Sequence, residues 1–135
     1  MVLSHLLADV HWTPVFVMTL FSFAIGYAWH QPYLFGELWK KENYPAGMPE
    51  KMNNPLIFGG TAVFHFMLNA GLSAIVSGEG VWYGLSVGFL ASLFWVTPAI
   101  GGTYLFANRS LKLFAVDAGM YVVMFSISGL VLGIW

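Results

Sequence analysis

The sequence predicts an all-α polytopic membrane protein with four transmembrane helices in one bundle, and three observations carry that reading. Hydrophobic residues make up 59% of the 135-residue chain and charged residues 8%, against roughly 25% charged in soluble domains. A soluble protein of this size has no means of covering so much apolar surface. The apolar residues fall into four stretches, each near or above the ~20 residues that cross ~30 Å of hydrocarbon. All five basic residues cluster around two of the gaps: Lys40, Lys41 and Lys51 in the first, Arg109 and Lys112 at the third. Under the positive-inside rule those two loops face the cytoplasm and both termini lie outside.

The elements follow in order along a single membrane domain, residues 1–135. Residues 1–12 place Leu3, Leu6, Leu7 and Val10 on one helical face, with His5, Asp9 and Trp12 towards another, the pattern of a short amphipathic interfacial helix. They show neither a basic n-region nor a small-residue cleavage site, so no cleaved signal peptide is expected. The first span, 13–31, starts where Thr13 caps a helix entered by Pro14. It stops before Pro32, since the residue preceding a proline disfavours helix. Residues 32–54 read as the longest loop, cytoplasmic, with Pro45, Gly47 and Pro49 inside it. Asn54 and Pro55 repeat the cap-then-proline signal and open the second span, 55–76. Ser77-Gly78-Glu79-Gly80 forms a tight outer turn. The third span, 81–106, contains Pro98 and Gly101-Gly102, so a kink is expected in it. After the short turn 107–110, the fourth span, 111–135, completes the chain. Trp12, Trp82 and Trp135 fall at the outer face and Trp29 and Trp39 near the inner one, as an aromatic belt requires, whereas Trp95 falls near mid-membrane.

Polar residues inside spans should face other helices or a wet cavity, because hydrocarbon penalises them. The second span carries Thr61, His65, Asn69, Ser73 and Ser77 at four-residue spacing, which stacks them on one face. The first has Thr19, Ser22, Gly26 and His30, and the fourth Asp117, Tyr121, Met124 and Ser128. One reading makes these stripes packing seams, with hydroxyls bonding across helices at roughly 0.6 kcal/mol each. The other makes them a water-accessible or ligand-binding cavity lined by His65, Asn69 and Asp117. A carboxylate at a span centre costs ~2.5–3.5 kcal/mol, which packing alone explains poorly. The candidate intramembrane polar site is therefore His30, His65, Asn69, Asp117 and Tyr121. Asp117 is expected to pair with His30, or with Arg109 or Tyr33; Arg109 and Lys112 are the candidate loop charge partners. Its alternative role is a buried anchor that fixes helix order.

Other chemistry is excluded or lacks residues. Cysteine is absent, which removes disulfides, thiolate catalysis and Cys-ligated metals. A net charge of -1 gives no footprint for nucleic acid. His5, Asp9 and His11 read as solvated side chains, not a metal site. His30 and His65 differ in depth, a poor arrangement for a haem held within one subunit. There is no nucleophile elbow, phosphate-binding loop or zinc helix, and no cofactor, metal or catalytic residue is expected. Gly84 and Gly88 form a small-xxx-small pair that suits contacts between subunits. Tyr33-Leu34-Phe35-Gly36 and Tyr104-Leu105-Phe106-Ala107 hint at a two-helix repeat.

Two stretches resemble a family of small bacterial membrane proteins known as domain of unknown function 1761. The first is Trp29-His30-Gln31-Pro32-Tyr33-Leu34-Phe35-Gly36 with Trp39. The second runs from Gly102 through Tyr104-Leu105-Phe106 and Arg109-Ser110-Leu111-Lys112-Leu113-Phe114 to Asp117-Ala118-Gly119 and Tyr121, with the Gly133-Ile134-Trp135 ending. His30, Ala107, Ser110 and Met120 depart from that pattern, standing where tyrosine, an acidic residue, proline and tyrosine are usual. The resemblance implies a four-helix protein of the bacterial cytoplasmic (inner) membrane and no particular reaction. Two functions follow as expectations. One is a homo-oligomeric transport, channel or small-ligand-binding protein using the intramembrane polar residues. The other is an accessory or scaffold subunit of a larger membrane complex, without catalysis. Its partners would be the lipid bilayer and either itself or another membrane protein.

Overall fold

The computed structural model describes residues 2–135, the side chains of Val2, Leu3 and Leu6 excepted, so the amphipathic face expected of Leu3 and Leu6 lies outside the described residues. All regular structure described is helical: α1 (Val2–Ala8), α2 (Trp12–Trp29), α3 (Gly36–Asn43), α4 (Asn54–Val76), α5 (Val81–Ala91), α6 (Thr97–Phe106) and α7 (Leu111–Ile134), with a π-helical turn at Ser92–Val96 joining α5 to α6. The protein is a multi-pass membrane protein whose spans are α2, α4, α5 through α6, and α7. Its surface agrees: Leu20 is 73% exposed, Phe64 66% and Phe94 65%, an apolar surface of the kind that contacts lipid or another membrane protein.

Four antiparallel crossings put the two basic loops at one end of the bundle and the two termini at the other. The ends are called basic and terminal below. At the basic end the Arg109 guanidinium donates to the Asn43 side chain. At the terminal end Gly80 N–H donates to Gly133 O at 2.9 Å, and His11 N–H donates to Ser73 Oγ at 3.1 Å.

Helix starts differ by a residue from expectation where cap chemistry decides them. Asn53, not Asn54, caps α4: its Oδ1 accepts from Leu56 N–H at 3.1 Å, which leaves Asn54 and Pro55 as the first helical residues. Ser110 caps α7 in the same way, accepting from Leu113 N–H at 3.1 Å. α2 begins at Trp12 with no side-chain cap, so Thr13 sits inside the helix. Asn53→Ala should cost about 1 kcal/mol; the check is faster amide exchange confined to the first turn of α4.

The segment 32–54 is not all loop. Within it α3 carries Glu37 in its first turn and Lys40 and Lys41 in its last, the charge order that complements the helix dipole. Ahead of α3 the chain turns tightly, with Phe35 N–H donating to Trp29 O at 3.1 Å and Gly36 N–H to Gln31 O at 3.1 Å. A side chain at Gly36 would run into the His30 carbonyl, so glycine is required there. The supposed repeat dissolves at this point: Tyr33 is a 75% exposed turn residue, whereas Tyr104 lies within α6 and bonds Asp117.

The bundle is closed at one end and splayed at the other. α5 and α7 touch backbone to backbone at the terminal end: a Cβ on Gly84 would land on the Gly129 carbonyl, and one on Gly88 on the Phe125 carbonyl. The small-residue pair suited to contacts between subunits is thus used within the subunit. Past Gly88 the π turn intervenes, Thr97 N–H donating to Ser92 O five residues back. The wider turn precedes Pro98, whose ring would clash with the carbonyl four residues earlier in an unbroken α-helix. The expected kink is therefore taken up N-terminal to Pro98. Beyond it the Phe114 ring, 3.2 Å from the position of a Cβ on Gly101, and the Tyr104–Asp117 pair stand between α6 and α7. α6 has no buried residue; it packs on α7, while α4 packs mainly on α2 and α7. A gap opens between α4 and α6.

Candidate functional site: a cavity at the basic end

That gap is a cavity of about 910 Å³ among α2, α3, α4, α6 and α7. Each polar stripe divides at its edge. In α4, Thr61 and His65 line the cavity, while Asn69 and Ser73 above them are buried. Asn69 Nδ2 donates to Ser22 Oγ at 3.2 Å and to His65 O at 2.9 Å, and Ser73 Oγ and Ser77 Oγ lie 2.8 Å apart. In α2, Thr19 donates back to Val15 O in the seam, Ser22 donates to Met18 O at the cavity's edge, and Gly26 and His30 border the cavity. In α7, Asp117 and Tyr121 line it and Met124 and Ser128 are sealed below 3% exposure. Seam and cavity are thus both present, stacked by depth. Asn69, expected with His65 and Asp117 as a cavity residue, belongs to the seam.

Asp117 is held otherwise than expected. Its Oδ1 accepts from Trp39 Nε1 at 3.1 Å and its Oδ2 from the Tyr104 hydroxyl. It thereby joins α3, α6 and α7 without a basic partner. His30 is engaged elsewhere: its Nδ1 lies 2.7 Å from Gly26 O. Because a carbonyl only accepts, that nitrogen carries the proton in this contact. The His30 ring meets Trp39 edge-on at 5.1 Å. Arg109 turns to Asn43, Tyr33 is exposed, and Lys112 is exposed on α7. The single ion pair among the described residues is Lys40–Glu37 at 3.6 Å on the surface, where such pairs contribute ~0–1 kcal/mol.

His65 is 5% exposed and packs edge-on against Phe23 with centroids 5.4 Å apart. Its Nδ1 is buried with no partner in the protein. His30 and His65 border the same cavity despite their different depths. Among the described residues no three His, Asp or Glu side chains gather as metal ligands do.

Trp39 and Tyr104 are the site residues that sequence reasoning missed. Trp39 reads as an interfacial belt residue and Tyr104 as the end of a span; only the three-dimensional arrangement brings both to Asp117. One signal existed. The two stretches singled out in the sequence, around 29–39 and 102–121, meet here: Trp29 Nε1 donates to Val116 O at 3.0 Å, Trp29 lies against Gly119, and Trp39 bonds Asp117. No curated protein and no solved structure matches the chain. A profile of the family described as "Protein of unknown function (DUF1761)" matches residues 13–133, a region that holds both stretches and every residue of the cavity. The chain belongs to the DUF1761 family.

Proposed function

We propose that this protein binds a small amphipathic molecule within the membrane, in the cavity between α4 and α6, and that it does so without catalysis. The observation that carries the reading is the cavity itself: about 910 Å³, within the ~300–1,000 Å³ range of small-molecule sites, with mainly apolar walls and a few convergent polar groups. Asp117 and His30 each have hydrogen-bond partners other than one another, which leaves no assembled acid–base pair and favours binding over chemistry. The concentration of lysine and arginine in two loops supports a bacterial cytoplasmic membrane with those loops inside, so that the cavity opens in the cytoplasmic half.

Single cysteines test this on a cysteine-free background. Thr61→Cys and Thr103→Cys, both lining the cavity, should react with a membrane-impermeant thiol reagent supplied from the basic-loop side. Ser73→Cys and Ser128→Cys, in the sealed seam, should stay silent. Silence at 61 and 103 as well would remove the accessible cavity and leave the scaffold reading ahead.

A further inference from the structure

We infer that the ligand is an amphipathic organic cation, its ammonium group received at Asp117 among aromatic faces and its apolar body extended between α4 and α6. This inference rests on the cavity being a binding site and adds the charge of what it takes. Asp117 is the one carboxylate on the wall, and no lysine or arginine lines the cavity. Its two donors, an indole N–H and a phenol, orient the carboxylate while bringing no formal positive charge. Among the described residues Asp117 has no ion-pair partner, and a ligand ammonium can take that place.

The aromatic content points the same way. Phe23, Tyr27, Trp39, Phe58, Tyr104 and Tyr121 all border the space, and the faces of such rings attract alkylammonium groups, more strongly where water is excluded. The opposite ligand charge is disfavoured on two counts. A carboxylate or phosphate would meet Asp117 at close quarters, and it would find no guanidinium or ammonium to answer it. The remaining walls, such as Ile57 and Ile100, suit a hydrocarbon tail.

The test uses the full chain in phosphatidylglycerol nanodiscs and three amphipaths with chains of about ten carbons: decyltrimethylammonium, the uncharged decyldimethylphosphine oxide, and decanoate. Uptake by protein-free nanodiscs is subtracted. The expected result is that the ammonium compound binds about tenfold more tightly than the phosphine oxide, that decanoate binds weakest, and that Asp117→Asn removes the preference while still binding the phosphine oxide. Equal binding of all three, unchanged in Asp117→Asn, would overturn the cation and leave the cavity reading standing. Binding of none would remove both. Should Asp117→Asn lose all three, Phe58→Leu decides, since a phenylalanine side chain takes no part in the hydrogen bonds that hold Asp117: a reduced ammonium preference supports the inference and an unchanged one overturns it. Adding phosphatidylethanolamine assigns the source. Competition would identify the ammonium end of a zwitterionic lipid headgroup, its phosphate kept outside the cavity, and its absence a free amine; either result retains the ammonium chemistry.

Discussion

Gly84→Ala is expected to cost more than the ~3 kcal/mol usual for an overpacked core and to leave little folded protein, although it adds a single methyl group. The added Cβ would fall on the Gly129 carbonyl, with the Gly129 carbonyl carbon at 2.9 Å and the Gly133 Cα at 3.1 Å. All three are backbone atoms, so no side-chain rotation relieves the clash, and α5 must move off α7. Gly88 and Gly129 are held in the same way, so retreat at one point opens the others. Gly71→Ala is the matched control. A Cβ there meets nothing within 4 Å, and the change should stabilise α4 by up to about 1 kcal/mol through helix propensity. Thermal melts and gel filtration in detergent compare the two. Equal melting temperatures would mean that α5 and α7 do not meet through these glycines.

The glycines show where sequence reading succeeds and where it stops. Spacing in one helix identifies Gly84 and Gly88 as a close-contact face; it cannot say whether the opposing surface lies on another helix of the chain or on another chain, and the partner glycines stand some 45 residues further on. The four spans were legible because hydrocarbon imposes length and apolarity on each segment separately. The stripes were legible because helical period is a local property. Their division into seam and cavity was not. It depends on α6 being held away from α4, which follows from the π turn before Pro98 and from Phe114 filling the space beside Gly101. α3 was hidden for a related reason: eight residues ending in Lys40-Lys41-Glu42-Asn43 look like loop, and their helix is secured by Trp39 reaching Asp117, a contact across 78 residues.

That contact should be the most sensitive point of the site. Asp117→Leu is expected to release α3 and the loop around it, and to free α6 from α7. Ordinary interhelical hydrogen bonds in membranes average roughly 0.6 kcal/mol, and two such bonds would barely register. Bonds to a charged acceptor contribute ~1.5–3 kcal/mol each, and leucine also strands the Trp39 indole and the Tyr104 hydroxyl in a half-buried apolar setting. The charged-acceptor figure governs, taken near its lower end because Asp117 is partly exposed. A loss of about 3 kcal/mol is therefore expected, the sum of two bonds at that lower end. Hydrogen exchange reads it locally: amides of 36–43 should exchange far faster in Asp117→Leu, and those of the α5–α7 glycine interface should not change. Asp117→Asn keeps an acceptor for one donor and should fall between. Unchanged protection of α3 in Asp117→Leu would mean that Trp29, through Val116 O and Gly119, holds this end of the bundle without help from the carboxylate.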